Sequence, residues 1–285
     1  MARRRDAAST TSLIIATYNW KEALAAVLAT VRAQWELPAE VLVADDGSGA
    51  DTAELIAREA RTFPAPLGHV WHEDAGFRLG TIRNKAMAVA RGEYLIQLDG
   101  DLLLHPAFVR SHRRFAERGA YVQGSRAMLD AAATARCLAV GRLAVRPWSP
   151  GVRNRANAIY APLLARVVRG PRDALTRTRG ANMAFWRDDV VRVNGYNEAI
   201  EGWGREDSEL AARLQNAGVR RRNLKFAAVA WHLHHRARAQ DAVDRNHEIF
   251  ERTLRERLVW CEEGIGRHLE AAKAGGRRRV SPILP

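Results

Sequence analysis

The sequence lacks the cysteine patterns of a disulfide framework or a structural zinc site. Its 285 residues include two cysteines, Cys137 and Cys261, which lie far apart and form no Cys-x-x-Cys pair. We expect both to be buried thiols. A disulfide-rich secreted domain and a zinc ribbon are therefore excluded.

Long hydrophobic runs without charge are also missing. The apolar stretch behind the basic N-terminus, residues 13–16, is far shorter than the hydrophobic region of a secretion signal. Nowhere do about eighteen apolar residues follow one another, so no membrane-spanning helix is predicted. We expect a cytoplasmic protein, and 47% hydrophobic residues are enough for a substantial core.

Lysine is scarce, since 41 of the 45 basic residues are arginine and the net charge is +13. Ten of these arginines fall within residues 136–179 against one acid, Asp173, so this segment carries 10 − 1 = +9. Such a surface predicts phosphate binding, whether the phosphate belongs to nucleic acid, anionic lipid or a phosphorylated glycan. Codon bias is the alternative explanation for arginine use, but bias alone does not explain clustering.

Short apolar runs alternate with helical patterns over the first hundred residues. The runs predicted as buried strands are residues 12–16, 41–44, 70–72 and 94–98. The helical patterns are residues 24–35, 51–61 and 81–90. This alternation predicts an α/β fold with a mostly parallel central sheet flanked by helices, in which ligands bind beyond the carboxyl ends of the strands.

The pattern loosens after about residue 125, and order returns near Gly180. There we predict a strand at 183–186, a helix at 206–216, a strand at 226–231 and a helix at about 242–261. Residues 159–168 place apolar side chains on one helical face beside arginines, although Pro162 limits that helix.

Polar residues follow three of the predicted strands. They are Thr17, Tyr18 and Asn19, then residues 45–48, then Asp99 and Asp101. In extended geometry the carboxylates of Asp99 and Asp101 point to the same side, and carboxylates with phosphates are the usual ligands of Mg²⁺ or Mn²⁺. Such an ion acts as a Lewis acid on a leaving diphosphate. An isolated Asp-Gly-Asp also fits an acidic turn, but its place behind an apolar strand favours the metal.

Two further features fit a nucleotide. A carboxylate at Asp45 or Asp46 can accept a hydrogen bond from a nucleobase or a ribose, while Gly47 lets a ligand approach the backbone. A helix begins near the same edge, where positive charge and free amides suit a diphosphate. Its first residues include Arg83, Asn84 and Lys85. Taken singly, these features also fit a common turn and the solvated start of a helix.

The second half carries two motifs with possible chemistry. Residues 202–207, GWGRED, lead into a predicted helix, where Asp207 is our candidate for a general base and the glycines leave room for a sugar against Trp203. An acid at a helix start is also an ordinary dipole partner, and that field lowers its basicity. In residues 231–235, WHLHH, a neutral imidazole can complete the metal shell begun by Asp101.

Other catalytic motifs are not found. The sequence has no Gly-x-x-x-x-Gly-Lys-Ser/Thr loop and no Gly-x-Ser-x-Gly elbow, which disfavours phosphate-loop NTPases and serine hydrolases.

In their order and spacing, these motifs resemble glycosyltransferase family 2. The residues that carry the resemblance to its GT-A domain are 17–19, 45–48, 76–85 and 98–101. Residues 202–207 and 231–233 look like the C-terminal region shared by bacterial chondroitin polymerases and Golgi galactosyltransferases. The layout is closest to lipopolysaccharide core glycosyltransferases, and the match covers roughly residues 12–235.

The resemblance implies a GT-A fold and an inverting transfer of a sugar from a nucleotide diphosphate donor, with Mn²⁺ or Mg²⁺ as cofactor. On the donor side, Asp46 would contact uracil or ribose with Asp45 nearby, and Asp99 would bind ribose or metal. The other donor-binding residues implied are Thr17, Tyr18, Asn19, Arg83, Asn84 and Lys85.

On the acceptor side, the resemblance makes Asp101 the main metal ligand and His232 a later one, with His235 as the less favoured alternative. Trp203 and Gly204 would bind the acceptor. Asp207 would deprotonate it, and Glu206 is the second catalytic candidate.

Four segments are expected. They are a donor-binding half (1–125), an Arg-rich insert for acceptor or membrane docking (126–179), an acceptor and catalytic-base half (180–265) and a disordered basic tail (266–285). The expected donor is a UDP-hexose or UDP-N-acetylhexosamine, and the expected acceptor is a cell-surface glycan or glycolipid such as lipopolysaccharide core. Docking on the inner face of the cytoplasmic membrane is a further hypothesis, and no nucleic-acid partner is expected. A sugar nucleotidyltransferase and an inactive nucleotide-sugar or glycan-binding protein are the alternatives.

Overall fold

A computed structural model describes residues 10–168, 175, 178–236 and 243–274. Its strands are β1 (Thr11–Thr17), β2 (Glu40–Asp45), β3 (Leu67–Trp71), β4 (Tyr94–Asp99), β5 (Leu102–Leu104), β6 (Ala120–Gly124), β7 (Ala127–Leu129), β8 (Val152–Arg153), β9 (Asn182–Trp186), β10 (Arg220–Leu224) and β11 (Ala230–His232). Its helices are α1 (Lys21–Arg32), α2 (Ala50–Ala60), α3 (Leu79–Val89), α4 (Phe108–Phe115), α5 (Ala131–Ala139), α6 (Leu164–Val167), α7 (Arg187–Arg192), α8 (Glu206–Asn216), α9 (Val243–Arg255) and α10 (Ile265–Ala274).

A seven-stranded sheet in the order β10-β6-β9-β4-β1-β2-β3 forms the centre of the fold. The β1, β2, β3 and β4 strands are parallel, and β9 runs antiparallel to both of its neighbours, β4 and β6. All seven residues of β1 are buried, as expected for a strand covered on both faces. The predicted mostly parallel α/β sheet is therefore confirmed.

Helices cover both faces of this sheet. Leu13 and Ile15 face one apolar cluster with α1 and α2, whereas Ile14 faces the other cluster with α3 and α8. This alternation follows from the period of two along a strand. Cys137 and Cys261 are buried free thiols, as predicted.

A second sheet of four short strands, ordered β5-β11-β7-β8, extends from the edge of the first. In it His232 of β11 pairs with Leu102 of β5 in antiparallel register, and the Leu233 amide donates to the carbonyl of Asp101. This pairing brings the histidine-rich segment beside the residue that follows β4.

The structure corrects several sequence-based boundaries. The strand predicted at 226–231 is β11, Ala230–His232, and the helix predicted at 242–261 ends at Arg255. The tail predicted from residue 266 begins too early, because Ile265–Ala274 forms α10 and packs against α3. The rest of that predicted tail, residues 275–285, lies outside the described residues.

The Arg-rich insert contains shorter elements than predicted. The amphipathic helix expected over residues 159–168 is a single turn, Leu164–Val167, because Pro162 precedes it and a 3₁₀ turn occupies Arg155–Ala158. Three of its arginines, Arg169, Arg172 and Arg177, lie outside the described residues. Within the described ranges, the helices are too short or too polar for any of them to cross a bilayer.

Candidate active site

The polar residues predicted to meet at one edge of the sheet do so. Thr17 is in register with Asp45 across β1 and β2, and Ala16 is in register with Asp99 across β1 and β4. The amide of Asp46 donates to the Thr17 carbonyl at 3.0 Å. The carboxyl ends of three parallel strands thus place these side chains around one cleft.

Asp45 supports this edge from within the core. Its side chain has no exposed surface, its Oδ1 accepts from the Ser48 amide at 2.9 Å, and its Oδ2 lies 2.9 Å from His69 Nε2. Both oxygens therefore have protein partners, which corrects the predicted donor contact of Asp45. The residue instead fixes the turn that follows β2.

Asp46 is placed next to a histidine that sequence reasoning missed. Its Oδ1 lies 2.8 Å from His72 Nε2, and its Oδ2 accepts from the Arg78 amide at 3.1 Å. Burial lowers the pKa of His72, although the hydrogen bond that its ring shares with the Asp46 carboxylate raises it. Asp46 thereby ties β2 to the segment that leads into α3, and its contact with a nucleobase or ribose stays a prediction.

Gly47 is required for a different reason from the one predicted. Its φ is +99°, and a Cβ there would come within 2.6 Å of the Asp74 backbone. The absent side chain makes room for the loop around Asp74, whose Oδ2 accepts from the Tyr18 hydroxyl at 2.8 Å. The Tyr18 ring lies at the surface beside this loop.

Asn19 connects the loop after β1 to the loop after β2 at this edge. It has a φ of +46°, its amide donates to Ser48 Oγ at 2.8 Å, and its side-chain oxygen accepts from the Gly49 amide at 3.1 Å. Asn is one of the few residues that adopts this left-handed conformation at low cost. The predicted segments after β1 and β2 therefore form one connected loop pair.

Arg83 lies at the centre of the cleft floor and joins two carboxylates. Its Nη2 donates to Asp99 Oδ1 at 2.7 Å, and its Nη1 donates to Asp207 Oδ1 at 3.0 Å. Burial alone would lower the pKa of this guanidinium, but Tyr196, Asp207 and Asp99 raise it overall. We call Asp99, Arg83 and Asp207 the arginine bridge. In this structure both terminal nitrogens of Arg83 pair with carboxylates, and its contact with the donor diphosphate stays a prediction.

Asn84 is a structural residue rather than a donor ligand. It is fully buried, its side-chain amide donates to the Tyr196 carbonyl and to Glu198 Oε1, and its oxygen accepts from the Tyr196 amide, all at 2.8 Å. Every polar atom of the side chain is thus used to hold residues 196–198, which corrects its predicted role. Lys85 Nζ lies 3.3 Å from His72 Nδ1, and burial, then the charge of Arg78, lowers its pKa.

Asp207, the candidate base, is held by three donors. Its Oδ1 accepts from Arg83 and lies 3.0 Å from the Tyr196 hydroxyl, and its Oδ2 accepts from the Gly180 amide at 2.6 Å. A Cβ at residue 180 would overlap this carboxylate, so glycine is required there. Because a carboxylate has about four acceptor sites, Oδ2 can still accept one further proton donor.

Glu206 begins α8 beside Asp207 but differs from it electrostatically. Burial first, and then the charge of Asp207, raises the pKa of Glu206 to about 8. Its Oε2 accepts from the Gly204 amide at 3.1 Å. At neutral pH Glu206 is therefore mainly protonated, whereas a general base must be ionised.

Three predicted metal ligands come together beyond β4. Asp101 Oδ2 lies 3.4 Å from His232 Nε2 and 3.3 Å from His235 Nε2, and one ligand atom from each residue lies within 4.8 Å of the others. We call these residues the metal trio. The histidines were alternatives in the sequence, and the structure places both beside Asp101.

The donor set of the metal trio fits a divalent cation. Burial lowers the pKa of His232 to about 4, so its imidazole is neutral and can act as a ligand. Burial would raise the pKa of Asp101, but its hydrogen bond with His235 lowers it overall. Asp101 Oδ1 and His232 Nδ1 are buried without a hydrogen-bond partner in the described part of the chain. One carboxylate and two imidazoles are a common set for Mn²⁺ and related ions.

Asp99 lies outside the metal trio, and its predicted contact with ribose or metal stays a prediction. Gly100 and Asp101 form a turn rather than extended backbone, with the Gly100 amide donating to the Ala16 carbonyl at 2.6 Å. The two carboxylates therefore diverge, and that of Asp99 pairs with Arg83. Burial raises the pKa of Asp99, while Arg83 opposes that effect.

Trp203 and Gly204 lie on a loop before α8 with an unusual backbone. Gly202, Gly204 and Arg205 all have positive φ, and the Gly202 amide donates to the Phe77 carbonyl at 3.0 Å. The Trp203 indole is 42% exposed. This exposure leaves part of the indole ring accessible to a sugar. The contact of Trp203 with the acceptor stays a prediction.

Tyr196 is the main site residue that sequence reasoning missed. Its buried hydroxyl lies 3.0 Å from Asp207 and 2.9 Å from Gln97 Oε1. A single tyrosine in a Gly-Tyr-Asn sequence carries no chemical signal of its own, so its role emerges only from the packing of residues 195–198 against α3.

Two family models match this chain. Residues 12–134 match Glycosyl transferase family 2, and residues 166–236 match the model described as N-terminal domain of galactosyltransferase. The first match contains β1 to β4 and their loops, and the second contains α8 and β11. Together they include every residue of the arginine bridge and the metal trio.

Curated relatives are similar at moderate identity. Chondroitin synthase of Escherichia coli is 25% identical over 239 residues, covering 78% of this chain and 34% of that protein. Validoxylamine A glucosyltransferase of Streptomyces hygroscopicus subsp. limoneus is 29% identical over 234 residues, covering 73% of this chain and 48% of that protein. The chain thus spans about a third to a half of the length of these two relatives.

Solved structures share the fold. S. aureus TarS 1-349 in complex with UDP-GlcNAc superposes with a TM-score of 0.61 at 15% identity, over 91% of this chain and 69% of that one. The mannosyltransferase PcManGT from Pyrobaculum calidifontis, in complex with GDP-Man and Mn²⁺, gives a TM-score of 0.54 at 18% identity, over 93% of this chain and 73% of that one. These likenesses and the observed sheet establish the GT-A fold. Over residues 12–134, which contain the cleft-forming strands, the chain is similar to the Glycosyl transferase family 2 model.

Proposed function

We propose that this chain is an inverting, metal-dependent glycosyltransferase that moves a hexose or N-acetylhexosamine from a UDP donor to a hydroxyl of a cell-surface glycan such as lipopolysaccharide core. One observation carries the proposal. The metal trio and the Asp207 carboxylate lie at one sheet edge, and the arginine bridge connects Asp207 to Asp99, two residues before Asp101. A donor diphosphate and an acceptor hydroxyl can therefore meet between them.

The metal trio supports binding of the donor diphosphate. Asp101, His232 and His235 would hold Mn²⁺ or Mg²⁺, which supplies Lewis-acid neutralisation of charge on the departing diphosphate. The solved structure of PcManGT, which shares this fold, is a complex with GDP-Man and Mn²⁺. Tyr18, at the end of β1, offers an exposed aromatic ring beside the donor edge.

Asp207 rather than Glu206 is proposed as the proton acceptor. Arg83 and Tyr196 hold its Oδ1, which leaves Oδ2 to take the proton of the acceptor hydroxyl as that oxygen attacks the anomeric carbon. A single displacement of this kind inverts the anomeric configuration. Glu206, with a pKa of about 8, is mainly protonated and acts as a positioning residue for the loop before α8.

Calorimetric titration with UDP tests the donor site. We expect binding that requires MnCl₂ and that weakens at least tenfold in Asp101→Ala, because one anionic ligand is lost. The matched control is His234→Ala, which removes an exposed histidine of the same segment that is not part of the metal trio. It should bind UDP like the wild type.

Three outcomes would contradict the proposal in different ways. Metal-independent binding of UDP would remove the role of the metal trio. Binding of GDP in place of UDP would change the donor. No binding of either nucleotide with Mn²⁺ or Mg²⁺ would favour a protein that binds glycans without transfer.

We also propose that the enzyme docks on an anionic membrane surface through the Arg-rich insert. Leu163 and Val167 are each 73% exposed beside Arg166, a combination that suits an anionic lipid interface. Flotation with vesicles of phosphatidylglycerol and phosphatidylcholine tests this. We expect co-flotation that falls at least threefold in the double variant Leu163→Ser/Val167→Ser, and no flotation of wild type at low salt would exclude it.

A further inference from the structure

A cavity of about 420 Å³ opens beside the candidate active site, on the side away from the nucleotide edge. Its walls come from the ends of β6, β9 and β10, whereas β1, β2 and β3 form the opposite flank of the same sheet. The cavity therefore belongs to a different part of the cleft from Tyr18 and Asp46.

Residues that line the cavity are neighbours, in sequence or across a strand pair, of residues that contact Asp207 and of His232 in the metal trio. Arg179 and Asn182 line it and flank Gly180, whose amide donates to Asp207 Oδ2 at 2.6 Å. On the other side, Met128 lines it and pairs in register with His232 of the metal trio. The cavity is thus linked through neighbouring residues to the candidate base and to one metal ligand, which lie outside its lining.

The lining is basic, with no acidic residue among its described members. Four cationic side chains contribute to it: Arg126, Arg179, Arg221 and Lys225. Of these, Arg126, Arg179 and Lys225 take part in none of the ion pairs found within the described ranges. Two acidic groups outside the lining, Asp99 and Asp101, interact with the charge of Arg126. Within the lining itself the described charges are all positive, so an anion bound there would be stabilised.

Unsatisfied polar atoms lie in the same lining. Ser125 Oγ and Arg126 Nε are buried and have no hydrogen-bond partner among the described residues. A buried donor without a partner costs free energy, which a ligand oxygen would relieve. Arginine donors of this kind favour carboxylate and phosphate oxygens.

We propose that this cavity is an acceptor subsite that recognises an oxyanion, so that the acceptor glycan carries a phosphate or a carboxylate near the hydroxyl that reacts. The inference rests on the proposed glycosyl transfer and names the class of its acceptor. The same chemistry is offered by a sugar phosphate and by a uronic acid, and a titration can separate the two.

The test is an NMR titration of the protein without nucleotide and without metal, so that the cavity is probed apart from the donor site. The probes are glucose, glucuronate, glucose 6-phosphate and inorganic phosphate at one ionic strength. We expect at least one charged sugar to bind tenfold or more tightly than glucose and more tightly than inorganic phosphate. Glucuronate and glucose 6-phosphate then identify the preferred oxyanion.

Two variants and one matched control locate the effect. Arg126→Gln and Lys225→Gln should each reduce the preference for the charged sugar to threefold or less, while the protein stays folded by circular dichroism. Arg142→Gln removes the same charge from an exposed position in the Arg-rich insert, outside the lining, and should keep the wild-type preference.

The proposal is overturned if glucose binds as well as the charged sugars, or if Arg142→Gln loses the preference as much as Arg126→Gln. Displacement of the charged sugar by UDP under these conditions would assign the cavity to the donor and also overturn it. Metal-dependent UDP binding is measured separately, so the donor site can stand when the acceptor inference fails.

Discussion

Two groups at the same sheet edge differ in whether the protein satisfies its own polar atoms. In the arginine bridge, the Asp207 carboxylate accepts hydrogen bonds on both oxygens, and Arg83 pairs with two carboxylates while its Nε lacks a partner in the described part of the chain. In the metal trio, Asp101 Oδ1 and His232 Nδ1 are buried without a partner in the part of the chain described. The arginine bridge therefore keeps its geometry without a ligand, whereas the metal trio would gain its missing contacts from a bound ligand.

This difference suggests that the arginine bridge and the metal trio contribute to different steps of the reaction. A carboxylate that is hydrogen-bonded on both oxygens before substrate arrives, as Asp207 is, is preorganised, so it adds little reorganisation cost during the reaction. A group with unpaired buried atoms is stabilised by binding. We therefore expect changes in the arginine bridge to affect turnover most, and changes in the metal trio to affect donor affinity most.

The largest expected effect is on turnover in Asp207→Asn. The amide cannot take the acceptor proton, and general-base catalysis contributes roughly 10²- to 10⁴-fold, so kcat should fall by about that factor. Metal-dependent UDP affinity should stay within about threefold, because the metal trio is unchanged. Parallel measurements of kcat with a UDP-sugar and of UDP binding by calorimetry check both parts.

Two further variants decide whether the effect belongs to Asp207. Asp188→Asn removes an exposed carboxylate from the first turn of α7 and should keep wild-type kcat. Gly180→Ala leaves the carboxylate in place but forces a Cβ into it, so kcat should fall while UDP binding persists. Wild-type kcat in Asp207→Asn would show that the base is another residue.

Much of the fold could be predicted because its signals are local. The apolar runs of β1, β2 and β4 and the helical start at Glu206 follow from strand and helix periodicity. Their order then places Asp45, Asp99 and Thr17 at one edge. Short strands such as β5, β7 and β8 carry too few residues for a periodic signal, so only the β11 strand of the small sheet was predicted.

The roles of individual residues were harder to predict than their locations. Arg83 and Asn84 begin a helix near the cleft, as expected. Besides the nearby Asp99, however, their partners include Asp207 and residues 196–198, which lie more than a hundred positions away. Likewise, Gly100 allows a turn that sends Asp101 toward His232 instead of alongside Asp99. Pairings over such distances depend on packing, which no single-sequence pattern contains.

A smaller expected effect concerns the stability of the bridge region. In the folded protein burial, then Asp207, raises the pKa of Glu206 to about 8, whereas the ordinary value is 4.5. Between these values the folded state holds a proton that the unfolded state has released. Stability is therefore full below about pH 4.5 and decreases as the pH rises to about 8, on the order of a few kcal/mol.

Urea unfolding of the metal-free protein between pH 5 and 9 checks this, with Glu206→Gln as the key variant. Glutamine resembles the protonated acid and does not titrate, so the variant should lose less stability than wild type as the pH rises. Glu262→Gln, an exposed control, should follow wild type.

Because the charge of Asp207 contributes to the raised pKa of Glu206, Asp207→Asn should also flatten the pH profile of stability, by less than Glu206→Gln. Equal pH slopes in wild type and Glu206→Gln would mean that Glu206 is ionised beside Asp207 and would restore it as a rival for the base.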